Sequence, residues 1–276
     1  MKYKRLFIML SCCIGFLLLC TVLSFTLFRV HKVELHFKNE TLNLSSEEEH
    51  EYIIKSSKVS YSTPVFAINK RNLIENMELS NPYLKVINIE TVFPNKLVVH
   101  CAEREVTFAI EIDNNTYFIV DSDLKILETY QTYDKAYEST QTNAILLRGI
   151  HVENKNAKMG EALIFTENFN VAKLISDTLL LYNRPIAEQR AMFKEIRVGY
   201  ERSRYTLQSE MKLTFVTFDN FEINVYDIES LFTKKMGYIL ALIPKYYDKA
   251  NDYTMHFNIN PKDQSDIFLQ LKSIKN

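Results

Sequence analysis

An uncharged apolar run near the N-terminus constrains this chain more than any other feature. The run extends from Leu6 to Phe28 and is 23 residues long. As a helix rising about 1.5 Å per residue it would measure roughly 34 Å, enough to cross a hydrocarbon core of about 30 Å. Three of the five residues before it are basic, which favours the cytoplasm for that end. We therefore expect a cytoplasmic tail at 1–5, a transmembrane helix at 6–28 and the remainder outside.

A cleaved signal peptide is the alternative to an anchor. Its apolar region usually has about 7–15 residues and is followed by a cleavage site of small residues. This run is longer, and no such site follows Phe28. A lipoprotein signal ending at Cys20 is disfavoured because Leu19, directly before it, is not small. The uncleaved single-pass anchor is the preferred interpretation.

The composition argues against several function classes. The 34 acidic and 33 basic residues nearly cancel, so no bulk field would attract nucleic acid. Five glycines are few for a chain with a glycine-rich nucleotide-binding loop. Three of the four cysteines lie in the apolar run and only Cys101 lies outside it, so no disulfide can form within the external part.

The first 75 or so residues after the apolar run follow a clear order of elements. Val30 to Phe37 alternates as a strand does. A helix start follows, in which Ser45 and Glu48 can form a capping box. Asn69 caps a second helix, and Pro82 ends it because proline disfavours helical geometry in the preceding residue. Two strands complete the order strand, helix, helix, strand, strand.

The stretch from Asn81 to Arg104 holds those last two strands. Lys85 to Val92 and Lys96 to Cys101 alternate on either side of a tight turn at Phe93-Pro94-Asn95. The stretch contains no nucleophile–base pair, no metal-ligand cluster and no phosphate loop. A segment so well specified as structure indicates a domain that holds partners rather than one that performs chemistry.

Beyond residue 105 the pattern is rich in strands, with two amphipathic helices among them. Tyr253 to Ile259 alternates and predicts a late strand. The polar residues 261–276 are interpreted as a C-terminal tail. The fold class is therefore α+β, with a mixed β domain and packed helices at 106–260.

These patterns together resemble the FtsQ/DivIB family of bacterial cell-division proteins. The resemblance covers residues 1–130 by motif and 145–260 by element order. Besides the 44–48 helix start and the 64–69 connector, it depends on Asn81, Pro82, Tyr83, Phe93, Pro94, Asn95, Glu103 and Arg104. It implies a POTRA module at 30–105, and Lys235 is similar to a lysine often found in the family's late helix. It also implies a divisome scaffold in the cell membrane, located at the division septum.

The strongest candidate site is a sheet edge rather than a pocket. A late strand near a chain end often lies at an edge, where its unpaired backbone groups can bind a partner strand. The resemblance implies that this part of the β domain recruits the FtsB/DivIC partner and, with it, FtsL. The predicted partner-binding residues are Tyr253, Thr254, Met255, His256 and Phe257. An ordinary edge strand blunted by polar residues is the alternative.

Two other functions stay open. A POTRA-bearing envelope transport or assembly component would usually carry a membrane barrel, and no series of roughly ten-residue lipid-facing strands is apparent. An anchored envelope enzyme would need a convergent polar pocket, and the six histidines are scattered without metal-ligand spacing. We expect no enzymatic activity, no cofactor, no metal, no small-molecule substrate and no nucleic acid.

Overall fold

The structure is a computed structural model of the 276-residue chain. Contacts divide the chain into two units, Met1–Arg104 and Glu105–Asn276. The residues described are 2–38, 44, 46–113, 116–131, 144–166, 171–202, 209–228, 231–246, 252–260 and 263–274.

The apolar run forms one long helix, α1 (Lys2–Leu27). Its segment Met9–Leu27 is the one helix among the described residues that is long and apolar enough to cross a membrane. Its described apolar side chains are exposed, because no described part of the chain covers them. Such a surface is unfavourable in water and favourable in an apolar solvent, as expected of a candidate membrane span.

The rest of the first unit is a three-stranded sheet covered by two helices. Its elements are β1 (Lys32–Phe37), α2 (Glu47–Ser56), a short 3₁₀ helix (Val65–Ala67), α3 (Lys70–Ser80), β2 (Leu84–Val92) and β3 (Lys96–Glu103). The strand order is β1-β3-β2, with β1 parallel and β2 antiparallel to β3. The expected order strand, helix, helix, strand, strand is confirmed.

Local signals place the ends of both helices. Ser46 and Glu49 form the capping box of α2, one residue later than the sequence pattern indicates. The expected cap, Ser45, lies outside the described residues. The Asn69 side chain accepts a hydrogen bond from the backbone N–H of Asn72 and caps α3. One apolar core then joins helices and sheet, and its most buried members include Ile53, Met77, Leu84, Ile89, Leu97 and Cys101.

A buried ion pair closes the first unit at its last residue. The guanidinium of Arg104 lies 2.9 Å from Oε1 of Glu78, and both side chains are almost fully buried. The same carboxylate oxygen accepts a hydrogen bond from the backbone N–H of Val86. Arg104 Nε donates to the carbonyl of Leu84 at 3.2 Å. The pair therefore joins the end of α3 to both strands of the hairpin.

The second unit is a large mixed sheet packed against helices. Its strands are β4 (Phe108–Asp113), β5 (Thr116–Val120), β6 (Ile126–Tyr130), β7 (Ile145–Arg148), β8 (Phe193–Arg202), β9 (Ser209–Thr217), β10 (Glu222–Tyr226), β11 (Tyr253–Asn260) and β12 (Asp263–Ser273). Its helices are α4 (Val171–Leu181), α5 (Ile186–Met192) and α6 (Phe232–Tyr246). Among the described residues the sheet order is β12-β11-β10-β9-β8-β7-β4-β5-β6.

One core joins the sheet to α4 and α6. Ala172, Ile175 and Leu179 of α4 are fully buried, as are Met236 and Ile239 of α6. They meet alternate strand residues, so each strand has one apolar face and one more polar face. The predicted α+β class, with a mixed sheet and packed helices, is confirmed.

Two elements differ from the sequence interpretation. The polar tail assigned to 261–276 is wrong, because Asp263–Ser273 forms the eleven-residue strand β12. A proline usually ends a helix, so the sequence predicts that the helix before Pro244 stops there, but α6 continues to Tyr246 with Pro244 inside it. Two residues beyond a proline complete less than one turn, so the lost backbone hydrogen bond falls in the last turn of the helix.

The Arg104 pair yields a prediction about the stability of the first unit. Arg104→Met leaves the Glu78 carboxylate buried without its charge partner, which we expect to cost about 3–5 kcal/mol. Burial raises the pKa of the Cys101 thiol to about 12, so this thiol reacts after the core opens. With the three cysteines of α1 replaced by alanine, labelling of Cys101 should accelerate by a factor on the order of 100 or more.

Arg71→Met is the matched control, because Arg71 is an exposed arginine on α3. It should leave the labelling rate close to that of the parent chain. Equal labelling rates in the two variants would show that the buried pair does not hold this core together.

Candidate functional site

The strand expected at the sheet edge is paired on both sides. The predicted partner-binding residues Tyr253, Thr254, Met255, His256 and Phe257 all lie in β11. β11 runs parallel to β10, with Met255 opposite Ile223, and antiparallel to β12, with Met255 opposite Leu271. The prediction that β11 is an edge strand is therefore wrong. The alternation that identified the strand carries no information about its neighbours.

The side chains of β11 are divided between the core and the opposite face. Met255 and Phe257 are 0% exposed and belong to the core of the second unit. Thr254 and His256 point to the other face and are partly exposed. A partner strand cannot reach the backbone of Met255, so this residue supports the neighbouring edge and does not itself bind a partner.

The end of the sheet on this side is β12. It pairs with β11, and no further strand of the described chain pairs with its other side. The opposite end of the sheet, β6, has five residues. The first of them, Ile126, exchanges backbone hydrogen bonds with Gly160 and Glu161, which cover that end of the strand. Within the described part of the chain, β12 is therefore the longer edge and the one with fewer backbone contacts on its outer side.

The alternation of hydrogen bonds between β11 and β12 shows which backbone groups of β12 face away from β11. The backbone N–H of Ile274 donates to the carbonyl of Asp252 at 2.9 Å. Antiparallel neighbours alternate between hydrogen-bonded and non-hydrogen-bonded pairs, so Lys272 and Gln270 also bond to β11. Every second residue between these positions, and on along the strand, therefore points its backbone N–H and C=O groups away from β11. Ile267, Leu269 and Leu271 are outward residues of this kind.

The side chains of β12 have two characters. Ile267, Leu269 and Leu271 pack against the core of the unit. Phe268 is on the opposite face and is 47% exposed. An added strand would therefore meet an apolar face on one side and an exposed aromatic ring on the other. We call the outward backbone of Ile267, Leu269 and Leu271, together with Phe268, the β12 edge.

A hydrogen-bonded aromatic cluster lies on the polar face next to this edge. His256 Nδ1 is 3.0 Å from the hydroxyl of Tyr226, and its Nε2 is 2.9 Å from the hydroxyl of Thr254. The imidazole and phenol rings are stacked with centroids 5.9 Å apart. Burial, together with the nearby Lys272 and Lys212, lowers the pKa of His256 to about 4. The imidazole is therefore neutral near pH 7.

A fully buried lysine holds the end of β10. Lys235 donates from Nζ to the carbonyls of Tyr226 and Asp227 at 2.7 and 2.6 Å. Asp227 has a φ of 47°, a conformation that costs energy and persists only where surrounding contacts hold it. Burial lowers the pKa of Lys235 to about 8. The lysine thus positions the turn that leads from β10 into α6.

The motif residues of the first unit have structural contacts. Asn81 directly follows the last residue of α3. Its side-chain amide donates to Ser56 Oγ at 3.1 Å, and its backbone carbonyl accepts a hydrogen bond from the N–H of Leu84. The Arg104 N–H donates to the carbonyl of Tyr83 at 2.7 Å. The carbonyl of Asn95 accepts from the N–H of His31 at 2.8 Å. These contacts join element ends and assemble no catalytic set.

The remaining motif residues occupy the same junctions. Pro82 separates α3 from β2, Phe93 and Pro94 form the turn between β2 and β3 with a cis bond between them, and Glu103 ends β3. All eight motif residues lie in the first unit, whereas the predicted partner-binding residues lie in the second.

The sheet pairing brings together two histidines that are far apart in the sequence. His36 on β1 lies opposite His100 on β3, with ring centroids 5.6 Å apart. Glu90 and Glu34 each lie within 3.6 Å of one of these rings. Within the described ranges no group of three or more histidine, cysteine or acidic side chains is placed to hold a metal ion.

Comparisons with known proteins identify a domain within the first unit. Residues 43–104 match the family model "POTRA domain, FtsQ-type". The chain carries an FtsQ-type POTRA domain. The match ends at Arg104, the residue whose buried pair closes the domain.

The similar proteins found by comparison are consistent with this domain assignment. The chain is 31% identical over 156 residues to the cell division protein DivIB of Clostridium tetani, covering 52% of this chain and 55% of that protein. It is 34% identical over 113 residues to DivIB of Clostridium botulinum strain Hall, covering 41% of this chain and 40% of that protein. The chain spans about half the length of the curated relatives it matches. Together with the POTRA domain, these matches confirm the resemblance to FtsQ/DivIB proteins.

The neutral state of His256 yields a pH prediction. Between pH 6.5 and about 4 the unfolded chain binds a proton at this histidine while the folded chain does not, so the native state loses stability as the pH falls. His256→Gln keeps a hydrogen-bonding side chain and does not titrate. The full shift corresponds to roughly 3 kcal/mol, and because the imidazole is partly exposed and screened by solvent we expect the stability of the parent chain, relative to this variant, to fall by about 2 kcal/mol over that interval.

Urea unfolding of both chains in detergent at pH 7, 5.5 and 4 measures this difference. Other groups titrate equally in the two proteins and cancel in the comparison. A stability difference that stays constant across the three pH values would contradict the assignment of a buried neutral imidazole.

Proposed function

We propose that this chain is a single-pass membrane protein of the bacterial division machinery that recruits an FtsB/DivIC-like and FtsL-like partner pair through the β12 edge. In this proposal 1–5 is cytoplasmic, 6–28 crosses the membrane, 30–105 is the POTRA domain and the β domain follows outside. The protein acts by binding, so that septal wall synthesis begins where it is located.

The anchor and the topology are supported by α1. Its span is apolar throughout, and the charged residues lie at or beyond its ends. Lys2, Lys4 and Arg5 precede the span, whereas Arg29 and Lys32 follow it. Three basic residues before the span against two after it favour the cytoplasm for the N-terminal end. The division role is supported by the relatives, which are named cell division proteins.

The observation that carries the proposed mechanism is the outward backbone of β12. Ile267, Leu269 and Leu271 offer six backbone groups to an added strand. At a net 0.5–1.5 kcal/mol for each hydrogen bond, they contribute about 3–9 kcal/mol. Association itself costs roughly 4–15 kcal/mol. Backbone pairing therefore needs additional apolar contact, which Phe268 and the adjoining core side chains can provide.

The predicted partner-binding residues Tyr253–Phe257 have a supporting role in this mechanism. β11 bonds to β12 along its length and buries Met255 and Phe257 beneath it. The edge is thereby held in one register from Ile267 to Ser273, so it can accept a strand without rearrangement, which lowers the cost of binding.

A proline in β12 tests strand addition. Leu271→Pro removes an outward N–H and places its ring against the incoming strand, while the hydrogen bonds of β12 to β11 use the neighbouring residues. We expect capture of the partner pair by the full chain to fall at least about tenfold, equivalent to about 1.4 kcal/mol. The measurement is quantitative co-purification from membranes that contain both partners.

Leu271→Ala is the matched control, because it loses the same core contact but retains the N–H. It should capture the partners within a few-fold of the parent chain. If proline and alanine reduce capture equally while both chains remain folded, the backbone of β12 does not bind the partner.

Depletion in the source bacterium tests the division role independently of the edge. A fluorescent fusion should concentrate at midcell, and depletion should produce filaments because septal synthesis lacks its recruiter. A uniform membrane signal together with normal septa would overturn the proposed role.

A further inference from the structure

Three phenylalanine rings from separate segments meet where the chain leaves α1. The ring centroid of Phe28 is 6.1 Å from that of Phe66 and 6.1 Å from that of Phe93, both in edge-to-face geometry. Phe66 is in the 3₁₀ helix and Phe93 is in the turn between β2 and β3. We call these three residues the phenylalanine cluster.

The cluster is poorly covered by protein. Phe66 is 59% exposed and Phe93 is 64% exposed, although each ring touches Phe28. The adjacent Val92 is also exposed. Contiguous exposed aromatic surface is unfavourable in water and commonly marks a protein or membrane contact.

No flexible linker separates α1 from the POTRA domain. Phe28 is the residue directly after the helix, and its carbonyl accepts a hydrogen bond from the N–H of Val65 at 2.7 Å. Val30 donates to the carbonyl of Thr63, and His31 donates to that of Asn95. The loops that carry Phe66 and Phe93 are therefore bonded to the first residues beyond the span.

These short connections place the cluster within the membrane interface. A bilayer is about 40–45 Å thick with its headgroups and about 30 Å without them, so each interfacial layer is roughly 5–8 Å thick. Phe28 follows the last residue of the span. Rings 6.1 Å from its own ring therefore lie within that layer or at its boundary with the acyl chains. Because the rings lie so close to the end of the span, this placement does not depend on the tilt of α1.

We propose that the phenylalanine cluster inserts into the interface of the bilayer that α1 crosses and holds the POTRA domain against the membrane. The occupant of the surface is lipid, because the covalent connection brings acyl chains to it whatever else is present. The exposed Arg29, next to Phe28, lies where its guanidinium can bind headgroup phosphates. The inference depends on the proposed membrane anchor but not on the β12 edge.

The absence of tryptophan from the chain allows a direct test. Phe66→Trp introduces a sole tryptophan that conserves an interfacial aromatic ring. The full chain is placed in nanodiscs, one copy in each, made of phosphatidylethanolamine and phosphatidylglycerol with or without a quencher near the top of the acyl chains. We expect the tryptophan to emit at short wavelength and to lose most of its emission in the quenching lipid.

Ile87→Trp, on β2 of the same domain, is the matched control. Ile87 is 52% exposed and lies about 17 Å along β2 from Val92. Its tryptophan should emit as in water and keep its emission in the quenching lipid. Circular dichroism verifies that both variants are folded.

The outcomes separate this inference from the proposed function. If the parent chain assembles into nanodiscs but Phe66→Trp is quenched no more than Ile87→Trp, the membrane contact is overturned and the anchor stands. Short-wavelength emission without quenching would show that protein covers the ring, which also overturns it. A chain that remains soluble without lipid would refute the anchor and, with it, the inference.

Discussion

The antiparallel pairing of β12 with β11 is the interaction on which the organisation of the second unit depends. It places the Met255 and Phe257 side chains in the core and satisfies the backbone on the outer side of β11. A buried strand backbone without partners would cost energy for every unmade hydrogen bond. Because β12 bonds to β11, the outer strand with unpaired backbone groups is β12 instead of β11. The same pairing that completes the core thus creates the surface proposed for partner binding.

Buried charges have a comparable role at element ends. Arg104 pairs with Glu78 at the end of the POTRA domain, and Lys235 bonds to two carbonyls at the end of β10. Burying a charge is costly unless its hydrogen bonds are satisfied, so such residues specify one arrangement more strongly than apolar residues do. Both act where a strand ends, since Arg104 directly follows β3 and Lys235 bonds to carbonyls at the end of β10.

The connection between α1 and the POTRA domain depends on backbone hydrogen bonds. A span that continues directly into a folded domain leaves little freedom between them, because backbone hydrogen bonds begin at Phe28. A domain connected in this way experiences the chemistry of the headgroup layer. Exposed phenylalanines that would be unfavourable on a soluble domain become compatible with that position. The proposed partner edge and the proposed membrane contact lie in different units.

Much of the fold could be predicted from the sequence because it is written in local signals. The length and apolarity of 6–28 determined that the chain has a candidate membrane span. Alternation, caps and prolines determined the order of elements in the POTRA domain, since each depends on residues a few positions apart. Residues 263–273 contain a detectable alternation of Ile267, Leu269 and Leu271, but the polar residues before them masked it.

The tertiary structure alone decided which strand is the edge, because strand order depends on hydrogen bonds between segments far apart in the chain. It also decided that Met255 is buried, that His36 lies beside His100, and that Phe28, Phe66 and Phe93 meet. None of these contacts has a sequence signature, since a pattern of alternation records that a strand has two faces and not which segment covers each of them. The sequence by itself determined most of the elements and the candidate membrane span, and packing determined which surfaces are left open for the proposed contacts.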